Sequence, residues 1–126
     1  MKRILLAEDE EILRMLITDT LEDEDYQVVE AGDGQEALDL LEDGKYDLVV
    51  LDYMMPVYSG LEVIVKIRQE GINKNVPIMM LSAKSQLSEQ EQVIAAGADY
   101  FMAKPFSPLE LLGKVRDILN EKNTIQ

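Results

Sequence analysis

Five residues able to do chemistry stand directly after four short apolar runs. Glu8 and Asp9 follow Ile4-Leu5-Leu6-Ala7, and Asp52 follows Leu48-Val49-Val50-Leu51. Ser82 follows Ile78-Met79-Met80-Leu81, and Lys104 follows Asp99-Tyr100-Phe101-Met102-Ala103. Three carboxylates brought together repel and raise one another's pKa, and a divalent cation relieves this. A hard, all-oxygen ligand set suits magnesium, which keeps waters and accepts a phosphate oxygen as a further ligand. One carboxylate can then act as a nucleophile toward a phosphoryl group. The cation and Lys104 would neutralise the phosphoryl oxygens from two sides, and Ser82 has a hydroxyl to donate. No base is placed to drive rapid turnover, so an efficient phosphatase is not expected. Singly, each residue has a plain alternative: a turn Asp before Pro56, a surface lysine, a loop hydroxyl bonded to local backbone. Only a shared rim overrides these.

The elements must therefore bring four chain segments to one edge. Apolar runs bounded by turn signals read as strands buried on both faces. Between them the spacing is helical, with Ile12, Leu13, Leu16, Ile17 and Leu21 expected inward on the first helix. Ala37, Leu40 and Leu41, then Leu61, Ile64 and Val65, then Leu109, Leu112, Val115 and Leu119 give the inward stripes of the second, third and fifth helices. Asp33 with Glu36, and Ser59 with Glu62, read as capping boxes; Ser107, Pro108 and Glu110 mark another strong helix start. Gly44, Gly71 and Gly97 read as helix stops. The stretch from Lys84 to Gln92 is polar and weakly patterned, which predicts a short, mobile helix firming up near Val93. Gln27-Val28-Val29-Glu30-Ala31 is the most polar strand and belongs at a sheet edge. From Asn120 on the chain turns polar.

Strand and helix alternate five times. That pattern predicts an α/β, doubly wound, five-stranded parallel sheet with helices on both faces. The order 2-1-3-4-5 places the most apolar strands centrally, with its switch point between the strands ending at Ala7 and Leu51. Ligands in such sheets bind outside the carboxyl ends of the strands, so Glu8, Asp9 and Asp52 should meet there beside Ser82 and Lys104. The loop after the first strand has no glycine and several acids, which suits a cation and not a nucleotide phosphate.

Composition narrows the classes further. The chain of 126 residues is 47% hydrophobic, enough for one domain with a proper core. With no histidine it has neither a hydrolase triad nor a histidine-ligated zinc site, and with no cysteine it has no disulfide framework. A formal charge of −13 repels nucleic acid and anionic lipid and favours cations and basic protein faces. A strand begins almost at Met1, leaving no room for a signal peptide, and no run is long enough to span a membrane.

Over nearly its whole length the sequence resembles the receiver domains of two-component response regulators. The resemblance rests on Glu8-Asp9, on Asp52-Tyr53-Met54-Met55-Pro56 with Gly60, on Ser82-Ala83, on Gly97-Ala98-Asp99 and on Lys104-Pro105-Phe106. It implies a flavodoxin-like (βα)5 fold with a receiver domain over 1–121 and a polar tail over 122–126. It implies that Asp52 accepts a phosphoryl group from a sensor histidine kinase or a histidine phosphotransfer protein. Magnesium would be bound by Asp9, Asp52 and the backbone carbonyl of Met54, with Glu8 assisting. Ser82 and Phe101 would act as switch residues that reshape the face of the fourth helix, fifth strand and fifth helix. A cis peptide before Pro105 is also implied. The expected output is contact with a downstream protein target by a stand-alone cytoplasmic receiver, without direct nucleic-acid or membrane binding and without catalysis beyond its own phosphorylation and slow dephosphorylation. Glu8 where Asp is at least as usual, Ser82 for the commoner Thr, and Phe101 for Tyr are mild departures. A receiver that signals by constitutive contact is disfavoured by the intact set of site residues. A phosphatase of the dehalogenase-like type is disfavoured by Met54, which stands where a second acid would be needed.

Overall fold

Each apolar run forms a strand and each stretch of helical spacing a helix. A computed structural model describes residues 1–83 and 87–123, the last three by backbone alone. In chain order the elements are β1 (Arg3–Ala7), α1 (Glu11–Glu22), β2 (Gln27–Ala31), α2 (Gly34–Asp43), β3 (Leu48–Asp52), α3 (Gly60–Gln69), β4 (Ile78–Ser82), α4 (Leu87–Ala96), β5 (Tyr100–Ala103) and α5 (Pro108–Asn123). The strands form one sheet in the order β2-β1-β3-β4-β5, every neighbouring pair parallel. Ala7 pairs with Leu51, Asp52 with Leu81 and Ser82 with Ala103, so the carboxyl ends of four strands finish level.

Away from their polar ends the central strands are apolar, because both faces are covered. Ile4, Leu6, Leu48, Val50, Met79 and Leu81 pack against Ile17 and Leu21 of α1 and Leu111, Val115 and Leu119 of α5. The alternate residues Leu5, Ala7, Val49, Leu51, Ile78 and Met80 pack against Ala37, Val63, Ile64, Ile67 and Val93 on the other face. Successive side chains of a strand point to opposite faces, so a single run feeds two cores.

The helix stripes differ in detail from the expected ones. Ile12 and Leu16 are 73% and 50% exposed, and Val65 and Leu109 also face outward. The buried arc of α1 is centred on Ile17, Thr18 and Leu21, which carries Ile12 and Leu16 to the far side. On α3 the inward residues are Val63, Ile64 and Ile67, and on α5 they include Leu111 and Ile118, which turns Val65 and Leu109 out. The polar run from Asn120 to Asn123 continues α5 because it contains no glycine or proline to stop it. The remainder of the expected tail, 124–126, and residues 84–86 of the expected mobile stretch lie outside the described residues. The strand expected from Asp99 begins at Tyr100; Asp99 donates its N–H to the Ile78 carbonyl and its carboxylate accepts the Ile78 N–H, each at 2.9 Å.

Two polar side chains tie the amino-terminal end of the sheet. The Arg68 guanidinium donates to the carbonyls of Gly97, Lys74 and Val76 and pairs with Asp99 at 3.0 Å. Buried Asn73 donates to the Leu41 and Gly44 carbonyls at 2.7 and 2.8 Å and accepts the Tyr46 N–H at 2.9 Å.

Candidate functional site

At the opposite end, each strand delivers its polar residue to one rim. Asp52 is the last residue of β3 and 5% exposed. The chain behind it turns tightly: Tyr53 donates its N–H to Leu81 at 2.8 Å, and Gly60 donates to the Tyr53 carbonyl at 2.9 Å. A Cβ on Gly60 would lie 2.6 Å from the Asp52 carbonyl oxygen, so this close approach of α3 requires glycine. Full reciprocal capping by Ser59 and Glu62 then starts α3. Asp33 accepts the Glu36 N–H at the start of α2, but Glu36 reaches back to the Gly32 N–H and not to the cap residue itself.

Glu8 is fully buried just beyond β1. One of its oxygens accepts from the Lys104 ammonium at 2.9 Å and the other from the Glu10 N–H at 3.1 Å. Arg14 of α1 reaches back to the Glu8 carbonyl at 2.7 Å and holds this loop in place. Lys104 also sits 3.2 Å from the Asp52 carboxylate. Glu8, Asp9 and Asp52 each place a carboxylate oxygen within 4.8 Å of the others, with Asp9 exposed at the mouth. Burial, then repulsion from Glu8, pushes the Asp52 carboxyl up to about 7 despite the opposing pull of Lys104. Burial disfavours the Lys104 ammonium, but the hydrogen bond to Glu8 and the charges of Asp52 and Glu8 outweigh it, so its pKa lies above the ordinary lysine value. A buried, repelling carboxylate cluster with an open mouth is chemically suited to a hard divalent cation.

Ser82 ends β4, buried, one step along the neighbouring strand from Asp52. Its hydroxyl donates to the Glu89 carboxylate on α4. Sequence reading missed Glu89, because a lone acid in a polar stretch carries no periodic signal of burial. Phe101 is partly buried against the core on the α2–α4 face. The Met54 side chain is exposed in the loop after β3, and the main-chain role expected of it makes no demand on that side chain. The Lys104–Pro105 peptide is cis, as the resemblance implied. In the same loop as Met54, Val57 has φ of +71°, a left-handed conformation that β-branched residues rarely adopt.

Comparison with known proteins agrees with this geometry. The chain is 42% identical over 118 residues to the alkaline phosphatase synthesis transcriptional regulatory protein PhoP of Bacillus subtilis, a match covering 94% of this chain and 48% of PhoP. It thus spans about half the length of the curated relatives it matches. The fold is similar to the receiver domain of the Francisella response regulator 1452, with a TM-score of 0.90 at 30% identity, covering 97% of this chain and 99% of that one. It is also similar to the receiver domain of the sensor histidine kinase PA1611 of Pseudomonas aeruginosa PAO1, solved with magnesium in its active-site cleft. There the TM-score is 0.85 at 29% identity, covering 94% of this chain and 98% of that one. Residues 4–116 match the response regulator receiver domain. Five parallel strands in the order 2-1-3-4-5, an acidic pocket at their carboxyl ends and this match over most of the chain lead to one conclusion: the chain belongs to the response regulator receiver domain family.

Proposed function

We propose that this domain accepts a phosphoryl group on Asp52 and signals through the protein surface that the modification reshapes. The observation that carries the reading is the buried Asp52 carboxylate, 3.2 Å from the Lys104 ammonium and gathered with Glu8 and Asp9 at the strand ends. Receiver domains take their phosphoryl group from histidine kinases. Here the donor is a sensor histidine kinase or a histidine phosphotransfer protein. An Asp52 oxygen forms the new bond to phosphorus while the bond to the donor nitrogen breaks, and the imidazole leaves. Asp9, Asp52 and the Met54 carbonyl would hold magnesium, with Glu8 assisting. When bound, magnesium would neutralise charge on the phosphoryl oxygens.

Lys104 places its ammonium against the incoming oxygens, and Ser82 supplies a hydroxyl donor. With Ser82 drawn toward Asp52, Phe101 turns inward and the face of α4, β5 and α5 adopts a second packing, a shift of population between two states. The donor has a place to dock beside the site. Ile12, Met15 and Leu16 form an exposed apolar strip on α1. Next to it lies a hollow of about 230 Å3 lined by Glu10, Leu13, Lys104, Pro105 and Phe106. Among the described residues no helix is long and apolar enough to cross a membrane. The domain is a cytoplasmic receiver over 1–121, its polar tail beginning within the last turn of α5, and it acts on a downstream protein.

Intact mass spectrometry after incubation with acetyl phosphate tests this. A phosphoryl adduct that needs magnesium and is absent in Asp52→Asn is expected. No adduct under any condition would overturn the reading.

A further inference from the structure

Glu89 is an acid in the first turn of α4, and first-turn acids are ordinarily explained by the helix dipole or by capping. The other helices show what that looks like. Glu36, Glu62 and Glu110 turn back on the surface to the N–H groups of Gly32, Ser59 and Ser107. Glu11 is exposed. Glu89 instead lies buried, 9% exposed, and its carboxylate accepts the hydroxyl of Ser82. Burying a carboxylate is unfavourable unless it is bonded, so this contact needs a reason beyond a dipole that a surface acid would satisfy.

A serine hydroxyl has one proton to donate. Given to Glu89, it is not available to an oxygen on Asp52. The bond to a carboxylate is charge-assisted and stronger than one between neutral groups. The Lys104 ammonium is committed to Glu8 and Asp52. Ser82 lies beside Asp52 in the sheet, while Glu89 reaches it from α4.

We propose that Glu89 is a positioning residue for phosphoryl transfer: it holds the Ser82 hydroxyl on the α4 side, and transfer to Asp52 proceeds as that bond is exchanged for one to a phosphoryl oxygen. This rests on the reading of Asp52 as phosphoacceptor. The exchange leaves a buried carboxylate without its serine donor, which drives Glu89 and the start of α4 outward. The chemistry is thereby tied to the α4 surface by one named contact.

The test is the initial rate of adduct formation with acetyl phosphate and magnesium, followed by intact mass. Asp52 forms the new bond to phosphorus, and acetate leaves with the electron pair of the bond it breaks. Glu89→Ala frees the hydroxyl and should raise the rate about tenfold, the size expected for losing one charge-assisted hydrogen bond from the resting state. Glu89→Gln keeps a carbonyl acceptor without the charge and should fall between the two. In a Ser82→Ala background the Glu89→Ala change should alter the rate less than twofold, because the coupling is through the hydroxyl. A purely structural role for Glu89 would persist in that background. Should Glu89→Ala unfold, seen by circular dichroism, the Gln variant decides: a rise above twofold supports the proposal and no rise overturns it. A normal magnesium-dependent adduct in wild type with unchanged or slower rates in folded variants overturns the role of Glu89 alone. So does an acceleration that survives without Ser82. No adduct in wild type overturns the phosphoacceptor reading, and this inference with it.

Discussion

Replacing Asp52 with Asn should make the metal-free protein more stable, by an amount that depends on pH. The folded-state carboxyl is pushed up to about 7 from an ordinary 3.8, so folding takes up a proton at pH values in between. Where the native state binds more protons than the unfolded one, stability falls as pH rises. Below pH 4 both states are protonated and Asp52 costs nothing. From 4 to 7 the cost grows by about 1.4 kcal/mol per pH unit, reaching about 4 kcal/mol above 7 as an upper bound. Relaxation and water at the open mouth reduce it, so we expect Asp52→Asn to gain about 2–4 kcal/mol at pH 8. The gain should shrink toward zero near pH 4. Urea unfolding by circular dichroism, in a chelator at several pH values from 4 to 8, measures it. Magnesium at pH 8 should narrow the gap by stabilising the wild type alone. A gain that does not change with pH, or a variant less stable than wild type at pH 8, would refute the idea that burial and Glu8 repulsion dominate this site.

Three further outcomes are expected. Asp9→Asn removes the carboxylate at the mouth and should weaken magnesium binding about tenfold or more by calorimetry, with little change in unfolding midpoint. Val57→Gly relieves the left-handed backbone of a β-branched residue and, net of glycine's extra chain entropy, should stabilise by about 0.5–1 kcal/mol in thermal unfolding. Asn73→Ala leaves the carbonyls of Leu41 and Gly44 and the N–H of Tyr46 without their partner; a loss of about 2–4 kcal/mol in urea unfolding is expected.

The strands were legible because apolar runs such as Leu48 to Leu51 must be covered on both faces, and helical spacing between them leaves little choice of topology. The rim was legible because Glu8, Asp9, Asp52, Ser82 and Lys104 sit at strand ends, where register brings them together. Helix faces were read less well. Ile12, Leu16, Val65 and Leu109 are apolar and correctly spaced, yet apolar spacing does not reveal which side of a helix meets the sheet when more than one side is apolar. Contacts made by single polar residues were invisible for a different reason. Asn73 works through partners 27, 29 and 32 residues away and Glu89 through one 7 away, and nothing local distinguishes them from surface amides and acids.

The Arg68 and Asn73 fastenings have a mechanical consequence. They join the turns before β4 and β5 and the ends of α2 and α4 at the rim away from Asp52. The sheet is thus clasped at one end, while the other gathers mutually repelling acids. Local opening is favoured at the end where carboxylates repel one another at an open mouth. Amide hydrogen exchange should therefore run in a gradient along each central strand, slow near Val49 and Ile78 and faster toward Asp52 and Ser82. One group added at the tip would then redraw the carboxyl ends of β3 and β4, while the roots of β3, β4 and β5 stay fastened as at the base of a leaf spring.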